Sequence, residues 1–323
     1  MNEQQAGSVK KRAYHLILLM GMVSLFGDIT YEGARSVSGP FLLSLSASAT
    51  VVGFTSGAGE FLGYALRLLS GYLSDKTKKY WLFTGLGYGM LLSIPLLAFA
   101  GYWQIAALLF LLERIGKALR APARDTILSY ATKTVGRGWG FAIHEALDQI
   151  GAVLGPLVFC ATFFLKYTYR EGFSFFWLPA LCSLGTLFAA RMKFPAPAKM
   201  EAPVEKKGEN GLPRAFSLYA LFTFLSVTGF TNFPLLSFHF KKCEIMTEGQ
   251  IPLFYAVAMG VDAIVALLVG KIYDKVGIKA VLTIPALTLP VPFLAFSRSY
   301  GASIAASILW GAVMGNHEAV MRA

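Results

Sequence analysis

Charge is scarce in this sequence: Asp, Glu, Lys and Arg make up 15% of its 323 residues, against about 25% in soluble domains. That scarcity excludes an ordinary water-soluble globule. A hydrophobic content of 55% and a mean hydropathy of +0.57 point the same way. Cysteine is rarer still. Cys160, Cys182 and Cys243 are odd in number and scattered, which excludes a disulfide framework or a cysteine-built zinc site. His144 and Asp148 stand four apart, but with four histidines in the chain and no HExxH-type arrangement, no metal site is expected. There is neither a P-loop nor a G-x-S-x-G, so ATP-driven pumping and hydrolysis are not indicated, and no enzyme activity or cofactor is called for. A long basic run with interleaved aromatics is missing too, so the net charge of +11 does not read as a nucleic-acid surface.

What the chain has instead is a succession of apolar windows near the ~20 residues that cross a bilayer. Spans are expected at roughly 14–45, 51–73, 81–100, 103–131, 139–165, 173–193, 214–240, 250–272, 280–297 and 301–323. The basic start Lys10-Lys11-Arg12 ahead of an apolar run could open a signal peptide, but no A-x-A-like site follows; it reads as the entry to a first span. With the N-terminus in the cytoplasm, Lys76, Lys78, Lys79, Arg124, Lys133, Arg137, Lys271, Lys275 and Lys279 fall at cytoplasmic ends. The other side receives only Lys166, Arg170, Lys241, Lys242 and Arg298. The positive-inside rule therefore sets the expected orientation in the cell membrane. Pro285, Pro290 and Pro292 predict a bent ninth span, since membrane helices tolerate prolines whose freed carbonyls find other donors.

A repeat organises the whole. Gly71-Tyr-Leu-Ser-Asp75-Lys76-Thr-Lys78-Lys79 returns as Gly270-Lys-Ile-Tyr-Asp274-Lys275-Val-Gly277-Ile-Lys279, an offset of 199 that also carries Gly116 onto Gly315. An ungapped match across two apolar segments indicates internal duplication. Between the copies lies a polar stretch with Phe194-Pro-Ala-Pro and Glu205-Lys-Lys-Gly-Glu-Asn-Gly, too poor in apolar area to fold alone. The expected organisation is an all-α polytopic membrane protein. Residues 1–195 form a six-span bundle, 196–213 a cytoplasmic linker and 214–323 an incomplete bundle of about four spans. By the offset, Ala323 stands opposite residue 124, so the second bundle is expected to lack roughly 70 residues, or two spans.

Ionisable groups inside a membrane are costly, so they mark function or obligatory pairing. Asp28 and Glu32 are four apart in the first span, on one helical face. Glu60 and Arg67 are seven apart in the second. The fourth carries Glu113, Arg114, Lys117, Arg120 and Arg124, and the fifth carries His144, Glu145 and Asp148. The orientation puts Lys117, Arg120 and Arg124 in the same half of the bilayer as His144, Glu145 and Asp148, so opposite signs on these two helices are expected to pair. Asp28, Glu32 and Glu60 are expected nearer mid-membrane with fewer basic partners. There an aqueous cavity lets a carboxylate contact substrate or exchange protons near neutral pH. In the fifth span Gly151-x-x-x-Gly155-Pro156 suits close helix packing.

The G-x-L-x-D-K turn of Gly71, Leu73, Asp75 and Lys76, with Lys79 and the repeat at Gly270, Asp274, Lys275, Gly277 and Lys279, resembles the loop between helices two and three of the major facilitator superfamily. Lys78 stands where that loop usually has glycine, and Tyr80 where it has a basic residue. Gly151, Gly155 and Pro156 resemble part of the glycine/proline signature of antiporters in that superfamily. The strings Glu113–Asp125 and His144–Pro156 look like a prokaryotic branch with unassigned substrates. The resemblance covers nearly the whole chain. It implies two six-helix bundles with the substrate between them near the midplane, and a cytoplasmic latch at Asp75 and Lys76 and their repeat. The implied partners are a small-molecule substrate, protons or another coupling ion, and the lipid bilayer, with the protein a monomer. Proton-coupled export of a small organic solute is the leading expectation. Uptake of a sugar or organic acid, or a membrane protein that does not transport, stay open beside it.

Overall fold

The protein is described by a computed structural model that covers residues 3–197, 230–277 and 282–322. The expected linker from 198 onward, the start of the seventh span up to 229, Lys279, and the side chains of Asp274 and Lys275 lie outside the described residues.

Among the described residues the chain is helical throughout, without strands. The first half comprises α1 (Glu3–Ser44), α2 (Ala49–Thr77), α3 (Tyr80–Gly89), α4 (Ser93–Leu96), α5 (Trp103–Val135), α6 (Arg137–Phe164), α7 (Tyr169–Phe175) and α8 (Trp177–Lys193). The second comprises α9 (Phe233–Lys242), α10 (Gln250–Val276), α11 (Thr283–Thr288), α12 (Pro290–Ala295) and α13 (Tyr300–Arg322). Five segments combine membrane-spanning length with an apolar window: Val9–Ser44, Tyr80–Phe99, Gly138–Phe164, Tyr169–Lys193 and Gln250–Tyr273. Helices α2 and α5 run for 29 and 33 residues, also long enough at 1.5 Å per residue, and carry the charges read above.

Three expected spans are broken helices. Tyr80–Phe99 passes from α3 through two short 3-10 turns that flank α4 and its Pro95. The sixth bends at Phe176, between α7 and α8. The ninth breaks at Leu289, between α11 and α12, where Pro285, Pro290 and Pro292 cluster. Proline removes a backbone donor and crowds the preceding turn, which is why the break falls there.

Helix α1 is the axis of the molecule and is buried without interruption from Thr30 to Leu42. Glycine makes its fit to α6 possible. A Cβ on Gly151 would run into the Leu25 carbonyl, and one on Gly155 into the Ile29 carbonyl and, at 2.7 Å, the Gly33 nitrogen. Backbone thus lies directly on backbone, the arrangement that small residues permit between membrane helices. Toward the Leu42 end, Phe41, Phe159, Phe173 and Phe176 interlock, with ring centroids 4.7 Å apart for Phe41–Phe173 and 4.9 Å for Phe159–Phe173.

The duplication is visible in the packing. Helix α2 crosses α5 where Gly59 faces Leu111 and Arg114, and α10 crosses α13 where Gly311 lies against Ala258. Gly59 and Ala258 are 199 apart in sequence. The second core is aromatic: Phe233, Tyr255 and Trp310 are fully buried, with centroids 4.5 Å apart for Phe233–Tyr255 and 5.3 Å for Phe233–Trp310. The halves meet along α1. Gly39 sits so close to α9 that a Cβ would come within 2.7 Å of Ser237 Oγ and 2.8 Å of the Phe238 nitrogen.

Candidate substrate and coupling site

The face of α1 that carries Asp28 and Glu32 also carries Tyr31 and Arg35, and α2 and α5 bring Glu60, Arg114 and Lys117 up to it. Glu60 Oε1 accepts from Arg114 at 2.8 Å and from Arg35 at 3.1 Å. Arg35 also lies 3.8 Å from Glu32, and Lys117 Nζ lies 3.9 Å from the same carboxylate. Tyr31 forms the floor: its ring centroid is 3.9 Å from Lys117 Nζ and 4.9 Å from the Arg114 guanidinium. Cation–π contact of this kind strengthens when desolvated. The second half closes the group from the other side. Tyr255 on α10 donates a hydrogen bond to Glu32, and Trp310 on α13 lies 5.7 Å from the Arg35 guanidinium. A carboxylate on α1, in the first half, is therefore held by a phenol from the second.

Glu113 and Arg120 form a separate buried pair at 3.0 Å, two turns apart on α5. Arg120 reaches further, to the Gly87 carbonyl at 3.4 Å and over the Tyr88 ring at 5.0 Å. Next along α5, Arg124 donates to Ser24 Oγ at 3.1 Å and lies 4.0 Å from Asp148. Ser24 also meets His144 Nε2 at 2.9 Å and the Tyr88 hydroxyl at 3.2 Å. Asp28, one turn from Ser24, is partly open.

Two expectations about these charges need correcting. Glu60 and Glu32 are not poor in basic partners, since Arg35, which shares the Asp28 face at a spacing of seven, takes part in both contacts. Lys117 and Arg120 were expected to meet the acids of α6, yet Lys117 has Glu32 as its nearest carboxylate partner and Arg120 has Glu113. For Arg120 the reason is reach: Glu113 lies seven residues away, two turns along the same helical face, and a long guanidinium stem spans that gap. Arg124 does reach an α6 acid, Asp148, at 4.0 Å.

At the other motif, Gly71 packs against Pro122 of α5 at 3.6 Å. Asp75 accepts from the Tyr80 hydroxyl at 3.1 Å, and Lys76 lies 5.8 Å from the Tyr72 ring centroid. These contacts stay within the first half. Gly116 fits tightly on α3, where a Cβ would come within 2.8 Å of the Gly87 carbonyl.

Sequence reading alone had not singled out Tyr31, Arg35, Ser24, Tyr88, Tyr255 or Trp310. Arg35 was findable by extending the α1 face one more turn, whereas nothing in the sequence marks Tyr255.

Comparison with known proteins agrees with this architecture. A family model for the Major Facilitator Superfamily matches residues 17–322. An uncharacterized protein of Mycobacterium tuberculosis is 38% identical over 318 residues, 96% of this chain and 78% of its own length. An uncharacterized MFS-type transporter of Methanocaldococcus jannaschii is 26% identical over 306 residues, 92% of this chain and 74% of its own. Among solved structures, the nucleoside transporter NupG superposes with a TM-score of 0.72 at 15% identity, over 94% of this chain and 80% of that one.

Proposed function

The chain belongs to the major facilitator superfamily of multi-pass membrane transporters, and from that premise we propose proton-coupled export of a small organic solute by alternating access. The observation that carries the reading is the bond from Tyr255 to Glu32. It sets an ionisable group of the first half against the second, amid the charges of buried Arg35 and half-buried Glu60, Arg114 and Lys117. A change in the charge of Glu32 alters its contact with the second half, and rocking of one half against the other is how such folds alternate access. Asp28 and Glu32 serve as the proton-coupling and substrate groups, and Glu60 orients the cations around them. The Asp75–Lys76 turn and its repeat at Asp274–Lys275 act as the latch at the cytoplasmic ends. The basic clustering at Lys10 to Arg12 and Lys76 to Lys79 supports an N-terminus and linker on the cytoplasmic side of the cell membrane. Export rather than uptake is favoured by the Gly151, Gly155 and Pro156 pattern on α6.

The test is flux in proteoliposomes with an imposed pH gradient, followed in both directions, for the chain and for Asp28→Asn and Glu32→Gln. Export coupled to inward proton movement is expected, with the pH profile altered in at least one variant. Unchanged rate and profile in both variants would remove the coupling role; uptake driven by the same gradient would reverse the direction.

A further inference from the structure

A recess opens beside the cation cluster, and its two ends differ in chemistry. Tyr31 and Arg35 of α1 line one end, together with Glu113 and Arg114 of α5. Here two buried donors have no acceptor: the Tyr31 hydroxyl and Arg35 Nε, on residues 3% and 9% exposed. The two residues stand four apart and so share a helical face. The terminal nitrogens of Arg35 already face Glu32 at 3.8 Å and Glu60 at 3.1 Å, which leaves Nε as the spare donor. Charge is unmatched as well. Glu32, Glu60 and Glu113 answer Arg35, Arg114, Lys117 and Arg120, three carboxylates for four cations, and Glu60 alone serves two guanidiniums. Asp28 lies outside the lining. The other end is apolar. Leu42 near the end of α1 and Val52 near the start of α2 come together across a short connection, and Phe110 lies one turn before Arg114 on α5. The serines between the ends have spent their protons, Ser38 on the Arg35 carbonyl at 3.0 Å and Ser56 on the Val52 carbonyl at 2.9 Å.

Unmatched buried donors are costly, and beside a surplus positive charge they call for an oxygen that carries negative charge. A carboxylate has acceptor sites for both donors at once. An ammonium would instead face the guanidiniums of Arg35 and Arg114. A polyol needs polar partners along its whole length, and the far wall is apolar. We propose that the recess binds an organic monocarboxylate, its carboxylate on Tyr31 and Arg35 and its apolar body along Phe110, Leu42 and Val52. This rests on the transporter reading above and adds the class of cargo: an amphipathic monoanion, rather than a sugar or an amine.

The test is ligand-induced thermal stabilisation of the purified full chain in detergent. The probes are sodium butyrate, sodium acetate, n-butylamine hydrochloride and glucose, at equal concentrations and matched ionic strength. A ligand stabilises the state it binds, so butyrate is expected to raise the unfolding temperature most, acetate less, and the other two not at all. Tyr31→Phe keeps the ring under Lys117 and removes only the hydroxyl. It should weaken butyrate binding roughly tenfold, the loss of one hydrogen bond to a charged group. Phe110→Ala should weaken butyrate and leave acetate unchanged. The wild-type probe series stands even if a variant fails to fold. Binding of butylamine, glucose or acetate as tight as that of butyrate overturns the amphipathic monoanion and leaves transport intact. So does butyrate binding indifferent to Tyr31→Phe. Failure of all four to bind overturns the class too, and the transporter reading falls with it only if proteoliposomes also show no gradient-driven flux.

Discussion

Lys78 and Gly277, 199 residues apart, both end a helix with positive φ, 56° and 62°. They cap α2 and α10, the two helices that precede the repeated turn. In the second copy the position is glycine, which adopts positive φ freely. In the first it is lysine, whose Cβ makes that region costly by roughly 1–2 kcal/mol. The resemblance had marked Lys78 as a departure from glycine without a reason for the glycine. At Lys78 the cap is left-handed, its N–H closing on the Ser74 carbonyl at 2.8 Å, whereas Gly277, with ψ −145°, takes a conformation open essentially to glycine alone.

Lys78→Gly should therefore stabilise the protein by up to about 1 kcal/mol, part of the gain being offset by the freer unfolded chain. Thermal unfolding in detergent reads the change. A lower unfolding temperature would mean that the contact of Lys78 Nζ with the Tyr80 hydroxyl, 3.4 Å away, matters more than the cap.

Glu60→Gln should destabilise by about 3 kcal/mol, because it leaves two buried guanidiniums facing one another without their shared carboxylate. Glu60→Asp keeps the charge and should cost less. Denaturant or thermal unfolding of both variants decides the matter, and equal stability of Glu60→Gln and wild type would show that Arg35 and Arg114 find water or lipid headgroups instead.

Tyr255→Phe removes only the hydroxyl that Glu32 accepts, and about 1.5–3 kcal/mol is the usual worth of a hydrogen bond to a charged group. Thermal stability should fall by that order. Flux should also change its pH profile, since Glu32 then has one donor fewer from the second half. An unaltered profile would confine this bond to a structural role.

Gly39→Val should hold the halves apart at the Leu42 end, since even a Cβ would collide with α9 at Ser237 and Phe238. The readout is a single cysteine at Ser237, fully buried in this structure, in a background with Cys160, Cys182 and Cys243 replaced by serine. Labelling by an impermeant maleimide should accelerate in the Gly39→Val chain. An equal rate would mean that α9 shifts to accommodate the larger residue.

The broad fold was legible because bilayer length and proline placement are local properties, written in consecutive residues. Pro285, Pro290 and Pro292 announced the break between α11 and α12 in this way, and Gly151 and Gly155 their close approach to α1. The site was legible only in part. Asp28, Glu32, Glu60, Arg114 and Lys117 declare themselves by being charged in apolar surroundings. Which of them touch does not, because Glu60 lies 25 residues from Arg35 and 54 from Arg114, and the turn of each helix about its own axis decides the partner. Tyr255 is the extreme case. It is 223 residues from Glu32, and phenols are common enough in membrane helices that no pattern separates this one from the other tyrosines.

One consequence concerns Ser24. A serine oxygen has one proton to give and two lone pairs to fill, and its three neighbours are Arg124, Tyr88 and His144. Arg124 only donates, so it takes one lone pair. What remains is one outgoing proton and one vacant pair, and Tyr88 and His144 must divide them. If His144 carries its proton on Nε2, Ser24 points to Tyr88; if that nitrogen is bare, Ser24 points to His144 and the phenol turns inward. The tautomer of an imidazole on α6 is thereby tied to the direction of a hydroxyl on α3, through a single rotating bond on α1, one helical turn from Asp28.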